Sequence, residues 1–347
     1  MNKLFYFLSL AAVSLLACNS NTQNESESDT TQTVEVAPPD VPVETSIEII
    51  APEALQMIDS AMKVEELAKG FKWSEGPLWV EELNALLFTD VPENVVYKWS
   101  ENEGLKTFLR PSGFTDTSKT VKGDGANGLM LDSEGDLVLC QHGDRRVAIL
   151  KSGLQNPKAE YITLADNFGG KKFNSPNDLA ISSSGEIFFT DPPYGIKDEK
   201  QIELKFCGVY KINQNGEVNL LVDTLTRPNG IALSSDEKTI YIGNSDPEKI
   251  YIYAYTLDAK GQIVKGKVFL DGTPLTQKGP GLPDGMKIHK NGTIFSTGPG
   301  GVLVISPKGK LLGIIHTSKS TANCAFDKDY KYLYLTTTDR LLRLKLK

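Results

Sequence analysis

The chain has 347 residues, 40% hydrophobic and 23% charged, with 30 Gly, 18 Pro and 4 Cys. That is too long for a small disulfide scaffold and too apolar for a disordered protein. A net charge of -7 argues against a nucleic-acid partner.

Lys3 precedes an apolar run from Leu4 to Ala17. The run is too short to span a bilayer permanently and reads as the h-region of a signal peptide. It ends in Leu15-Leu16-Ala17-Cys18, which resembles a bacterial lipobox. The resemblance implies removal of residues 1–17 and lipid on the thiol and new amino group of Cys18. The protein would then sit at a membrane of the bacterial cell envelope, in the periplasm or on the outer membrane. Residues 18–47 are polar, without an apolar period, and are expected to form a tether. Glu25, Glu27, Asp29, Glu35, Asp40 and Glu44 all lie before residue 47, with Lys3 the only base there. The remainder is nearly neutral. Cys140, Cys207 and Cys324 are widely spaced, with no CxxC pattern. They read as small buried hydrophobes, one disulfide being left open.

From residue 48 to 347 the chain is expected to be one all-β domain. Short apolar runs recur, among them Leu86-Leu87-Phe88, Leu137-Val138-Leu139, Ile187-Phe188-Phe189 and Ile240-Tyr241-Ile242. Before each run stands a polar signature: Glu75-Gly76, Asn127-Gly128, Asn177-Asp178, Asn229-Gly230, Asp284-Gly285 and, weakly, Asn323-Cys324. The spacings are 52, 50, 52, 55 and 39 residues. Six units of this size, each with about four strands, predict a six-bladed β-propeller. The last unit has room for only three strands, and Val64–Lys69 is expected to supply the fourth. Pairing of the N- and C-terminal strands would close the ring and remove exposed edges. With no edge demanding a partner, a monomer is expected.

In a propeller the first strand of each blade lines the central channel. The six signature residues then converge at one mouth. A second ring is expected from the ends of the second strands: Asp90, His142, Asp191, Asn244, Thr297 and Thr338. A lone Asn-Gly or Asp-Gly is usually a turn; six in phase demand another explanation. Every inner-ring side chain presents oxygen, which suits Ca²⁺, Mg²⁺ or Mn²⁺. Two carboxylates, Glu75 and Asp284, would offset a dication. Such an ion polarises an ester carbonyl, and a neighbouring carboxylate can act as general base. Asp178 and Asp284 are both candidates. There is no Gly-x-Ser-x-Gly elbow and no P-loop. His142 is a candidate proton shuttle or binder of substrate hydroxyls. Tyr194, in Asp191-Pro192-Pro193-Tyr194-Gly195, is a candidate to pack on a sugar-like ring. His289 and His316 read as structural. Irregular loops at Gly113–Gly125, Lys197–Phe206 and Gly272–Gly281 are candidate lids.

These motifs together resemble the senescence-marker-protein, gluconolactonase and luciferin-regenerating-enzyme family, nearest its bacterial gluconolactonases. The stretches that carry the likeness are Glu75–Trp79, Ala126–Leu129, His142–Arg146, Asn174–Asp178, Phe189–Gly195, Arg227–Gly230 and Pro283–Gly285. The resemblance implies a divalent metal on the axis, usually calcium, held by Glu75, Asn177, Asn229 and Asp284. Zn²⁺ also remains open. It places Asn127 on the substrate side; Asp191 and Tyr194, at the same mouth, are further candidates for substrate binding. It implies hydrolysis of a sugar lactone such as glucono-1,5-lactone to its aldonic acid. Two alternatives remain: a broad lactonase, esterase or phosphotriesterase on the same metal, and a non-catalytic propeller that binds a sugar or a protein.

Overall fold

The computed structural model describes residues 41–116, 118 and 123–347. The signal sequence, Cys18 and most of the expected tether lie outside the described residues. Val43–Lys347 forms one unit. Six antiparallel sheets follow one another around an axis.

Blade 1 uses Ser74–Val80, Ala85–Asp90, Val95–Ser100 and Gly104–Leu109. Blade 2 runs from Ala126 to Ala165, blade 3 from Leu179 to Val222, and blade 4 from Pro228 to Asp271. Blade 5 begins at Met286 and blade 6 at Thr321. Ala85–Asp90, the second strand of blade 1, is buried on both faces. Blades stack face to face, so that strand reads as a continuous apolar run rather than an alternating one. Leu86 and Phe88 pack toward blade 6, with Tyr334 and Leu341. Leu87, between them, packs toward blade 2, with Leu129 and Leu139. The outermost strands, such as Ile263–Asp271, meet solvent.

The ring closes as expected. Val64–Lys69 pairs antiparallel with Arg340–Lys345, from Val64 opposite Leu344 to Lys69 opposite Arg340. One strand was not anticipated. Thr45–Ile49 joins Leu311–Thr317 as a fifth strand of blade 5. The ordered domain therefore starts before residue 48. Ile47 anchors this segment in a core shared with Ala54, Ile58 and Leu333. Glu48 fastens it by pairing with His316 Nε2 at 2.8 Å and with Lys278 Nζ at 2.8 Å. His316 is thus structural, as is His289, which packs edge-on against Phe326 and Tyr330. Cys140 and Cys324 are buried free thiols, and Cys207 is free and half-buried.

The glycines after the signatures are explained by crowding at the axis, not by turns. A Cβ on Gly230 would stand 1.9 Å from the Asp284 carbonyl oxygen. A Cβ on Gly285 would stand 1.9 Å from the Asn323 side-chain carbon. Inner strands of neighbouring blades touch there, and only hydrogen fits. Gly230→Ala should therefore lower stability by about 2 kcal/mol through overpacking. Urea denaturation checks this; an unchanged midpoint would mean that the inner strands can part without loss.

Candidate functional site

Ladder register slips where the signatures fall: between Glu75 and Leu78, Ala126 and Leu129, Pro228 and Ile231, and Thr321 and Asn323. Such bulges re-aim side chains. Here they point the signature groups at one another. Asn127 Nδ2 donates to Asn177 Oδ1 at 3.0 Å. Asn177 Nδ2 donates to Asn229 Oδ1 at 2.6 Å. Asn229 Nδ2 donates to Ser245 Oγ at 3.0 Å. Across the ring, Asn323 Nδ2 donates to Glu75 Oε2 at 3.1 Å, and the Gly76 amide donates to the same oxygen at 2.7 Å. Asn127 Oδ1 and Asp178 Oδ2 are buried without a hydrogen bond of ordinary geometry.

The charges are less comfortable. Burial pushes the Glu75 carboxyl up to about 7, and the neighbouring Asp178 charge adds to this. Burial likewise raises Asp284 well above the ordinary carboxylate range, followed by the charges of Glu75 and Asp178. Glu75 and Asp284 line the same cavity, and each charge disfavours the other. Burial raises Asp178 too, opposed first by the charge of Lys287. Buried like charges of this kind favour sharing protons or binding a cation.

The ring floors a cavity of about 480 Å³. Glu75, Asn127, His142, Asn177, Tyr194, Asn229 and Asp284 all line it. Seven of the residues singled out in the sequence thus meet in one place. Trp73, Pro92 and Leu282 make an apolar part of the wall, and Asp124 adds a carboxylate near the rim. Lys197 Nζ holds Asp124 Oδ2 at 2.6 Å, so two of the candidate lid loops meet there. Trp73, Asp124 and Ser245 were not singled out beforehand. They lie on irregular chain or one residue past a ring position, where spacing carries no signal.

Two expected site residues fall elsewhere. Asp178 occupies the position that is glycine in four other signatures and is not part of the cavity wall. It is buried against the inner strand of blade 2, where a Cβ on Gly128 would meet its Oδ1 at 2.8 Å. Asp191 does not reach the cavity either. Its Oδ2 accepts the Asn174 amide at 2.8 Å, tying the entering loop to the blade. Asp90 does the same for Trp73 at 3.1 Å, and Asn244 for Arg227 at 2.9 Å. The second-strand ring is mainly a set of loop clips. In blade 2 the matching position is Gln141, opposite Ala126 as Asp90 is opposite Ser74. Its Nε2 donates to the Ser112 carbonyl at 2.8 Å. His142 is one residue further on and so escapes the clip. Its Nε2 donates to Asn177 Oδ1 at 3.1 Å. Burial pulls His142 down to about 4, leaving a neutral imidazole at pH 7. Arg145 and Arg146 brace loops, donating to Phe173 O and Gln141 Oε1.

The donor set suits a hard divalent ion. Glu75 and Asp284 supply charge, and the Asn177 and Asn229 amide oxygens supply neutral oxygen. Among the described residues no three His, Cys, Asp or Glu side chains converge as ligands. Any ion here therefore relies on amides for half of this set. The pressed carboxylates are what a cation would relieve.

Residues 73–339 match the family model described as SMP-30/Gluconolactonase/LRE-like region. A gluconolactonase of Zymomonas mobilis is 35% identical over 306 residues, which is 86% of this chain and 85% of the relative. The solved structure of a gluconolactonase from Xanthomonas campestris superposes with a TM-score of 0.75 at 28% identity. It covers 89% of this chain and 99% of that one. A calcium-binding regucalcin from Agrobacterium tumefaciens shares the fold, with a TM-score of 0.63 at 17% identity, covering 82% of this chain and 95% of its own.

The clip role of Asp191 has a pH signature. Burial raises its carboxyl to about 7, against about 4 in an unfolded chain. Folding therefore favours the neutral form. That contribution is complete below about pH 4 and is lost as pH rises through 7. With chelator present, the urea midpoint should decline over that window, and less steeply in Asp191→Asn, which cannot ionise. Equal slopes would remove Asp191 as a cause.

Proposed function

The chain belongs to the SMP-30/gluconolactonase/LRE-like family, and we propose that it hydrolyses sugar lactones of the glucono-1,5-lactone kind. The observation that carries this reading is the pairing of Glu75 and Asp284, both raised in pKa, at the floor of a cavity walled by polar groups on an apolar frame.

The apolar wall of Trp73, Pro92 and Leu282 suits the C–H face of a sugar ring. Asn127 lines the wall on the side where a ring hydroxyl would lie. The Tyr194 hydroxyl, raised in pKa by burial and by Asp284, stays protonated and can donate. Asp284 is the better-placed general base, because it faces the cavity whereas Asp178 does not. Its carboxylate takes a proton from the attacking water and returns it to the ring oxygen as the lactone opens. Glu75 stands beside it, held by the Asn323 amide and the Gly76 N–H. His142 acts through Asn177 as a positioning residue. A divalent ion, best calcium, would be held by Glu75, Asn177, Asn229 and Asp284, and when bound would supply Lewis-acid polarisation of the carbonyl. The N-terminal reading completes the picture: lipid on Cys18 would hold the enzyme at the cell envelope.

A pH-indicator assay with glucono-1,5-lactone should show hydrolysis above the spontaneous rate, lost with chelator and restored by calcium. Asp284→Asn should lower kcat/KM by at least about 100-fold. Metal-loaded protein no faster than buffer would overturn the proposal. Cys18→Ser should move the protein from the membrane fraction to the soluble fraction; retention in membranes would refute the anchor.

A further inference from the structure

Ser245 stands one residue past Asn244, the loop clip of blade 4, as His142 stands one past Gln141 in blade 2. Both line the cavity, and each bonds a ring amide. Ser245 also meets a group that has no proton to give. Its Oγ lies 2.6 Å from the Pro283 carbonyl oxygen. At that distance the hydroxyl must donate, which spends its one hydrogen. What it offers Asn229, 3.0 Å away, is a lone pair. The Asn229 atom on that side is therefore the nitrogen, and its oxygen faces Asn177 at 2.6 Å. That oxygen must be met by a donor, so Asn177 turns Nδ2 toward it and Oδ1 the other way. Asn127 Nδ2 at 3.0 Å and His142 Nε2 at 3.1 Å then both have to donate to Asn177 Oδ1.

We propose that Ser245 is a positioning residue: through its bond to the Pro283 carbonyl it sets the direction of the amide chain across blades 2, 3 and 4, and with it the tautomer of His142. The amides alone do not choose a direction. Each has one donor end and one acceptor end, and a reversed chain would be bonded as well. The far end does not choose either, because Asn127 can present oxygen or nitrogen and a neutral imidazole can carry its proton on either nitrogen. Only the end at Ser245 has a fixed polarity, imposed by a backbone carbonyl. The surroundings of His142 agree: its Nδ1 is buried without a hydrogen-bond partner, so a proton there would go unbonded. The direction matters to the function proposed above because amide oxygens, not nitrogens, serve a hard ion. That consequence rests on the functional reading; the hydrogen-bond order does not.

Nitrogen-15 NMR of the histidine-labelled protein tests this, since ring nitrogens with and without a proton resonate far apart. His142→Asn identifies the His142 signals among those of the three histidines. With chelator present, so that no ion orients the amides, wild-type His142 should carry its proton on Nε2 alone. Ser245→Ala should let a second tautomer appear, at roughly a tenth of the population or more. Ser245→Thr keeps the hydroxyl and should restore the single tautomer. In calcium-loaded protein, kcat/KM for glucono-1,5-lactone should fall roughly tenfold in Ser245→Ala, the worth of one hydrogen bond, and stay within twofold in Ser245→Thr. A wild-type proton on Nδ1 overturns the inference without any variant. So does an Nε2 proton that stays the sole form in Ser245→Ala. A wild-type protein with the expected tautomer and no lactonase activity overturns the proposed function and leaves this inference standing.

Discussion

Carboxylates turned inward at the axis, away from bulk solvent, are the constraint on which the rest of this molecule depends. Glu75, Asp178 and Asp284 are each raised by burial first, and the charge of one raises another. A chain relaxing freely would move such groups to water. They stay because the backbone that carries them cannot move. The amide ring supplies partners to some of their oxygens, and Lys287 supplies one opposite charge. What remains is stored as a demand for a cation or a proton. That demand is the chemical capacity of the site.

The fold makes the backbone immovable through inter-blade contacts at the axis. The Gly128 amide donates to the Asn177 carbonyl at 2.8 Å, and the Gly285 amide to the Ala322 carbonyl at 2.8 Å. Threonine hydroxyls repeat the theme one strand out: Thr89 to Asn127 O at 3.1 Å and Thr190 to Asn229 O at 2.7 Å. Each inner strand is thereby fixed to the next, and behind each pair lies its own apolar cluster, such as Phe188 with Ile240 or Tyr241 with Leu303. The same close approach explains the Asn-Gly and Asp-Gly pairs. Blade 3 departs from that pattern, and its Asp178 is buried against the inner strand of blade 2.

This division decides what could be read in the sequence. The repeat was legible because four of the six inner strands meet the same steric demand, answered by glycine, and the second strands are largely buried. The closing strand was legible by counting, since blade 6 lacked one. Asp191 was misread because spacing alone cannot separate a side chain that turns into the cavity from one that turns back to catch the Asn174 amide. His142 and Gln141 differ by one residue, and only the ladder register shows which of them is the clip. Thr45–Ile49 was hidden because its apolar residues follow directly on a polar segment, and its partner, Leu311–Thr317, is distant in the chain. Lys287 was hidden because a lysine on a strand is ordinarily a solvated one.

Closure and chemistry meet at one seam. Glu75 belongs to blade 1, but its amide partner Asn323 belongs to blade 6. The residue before it, Ser74, donates its amide to the Thr338 carbonyl at 2.7 Å and its hydroxyl to the Arg340 carbonyl at 3.0 Å. Thr338 and Arg340 stand at the turn into the strand that receives Val64–Lys69. Buried Arg340 also pairs with Glu66 of that closing strand at 3.1 Å. The joint that seals the ring is therefore the joint that positions Glu75. A seam that opened would separate Glu75 from Asn323 and from the charge of Lys287 together. In an open sheet, strand fraying costs local order at an edge; here it would reach the central carboxylate. Making Val64–Lys69 and Arg340–Lys345 share one blade places the seam of the ring next to the group that can least tolerate movement.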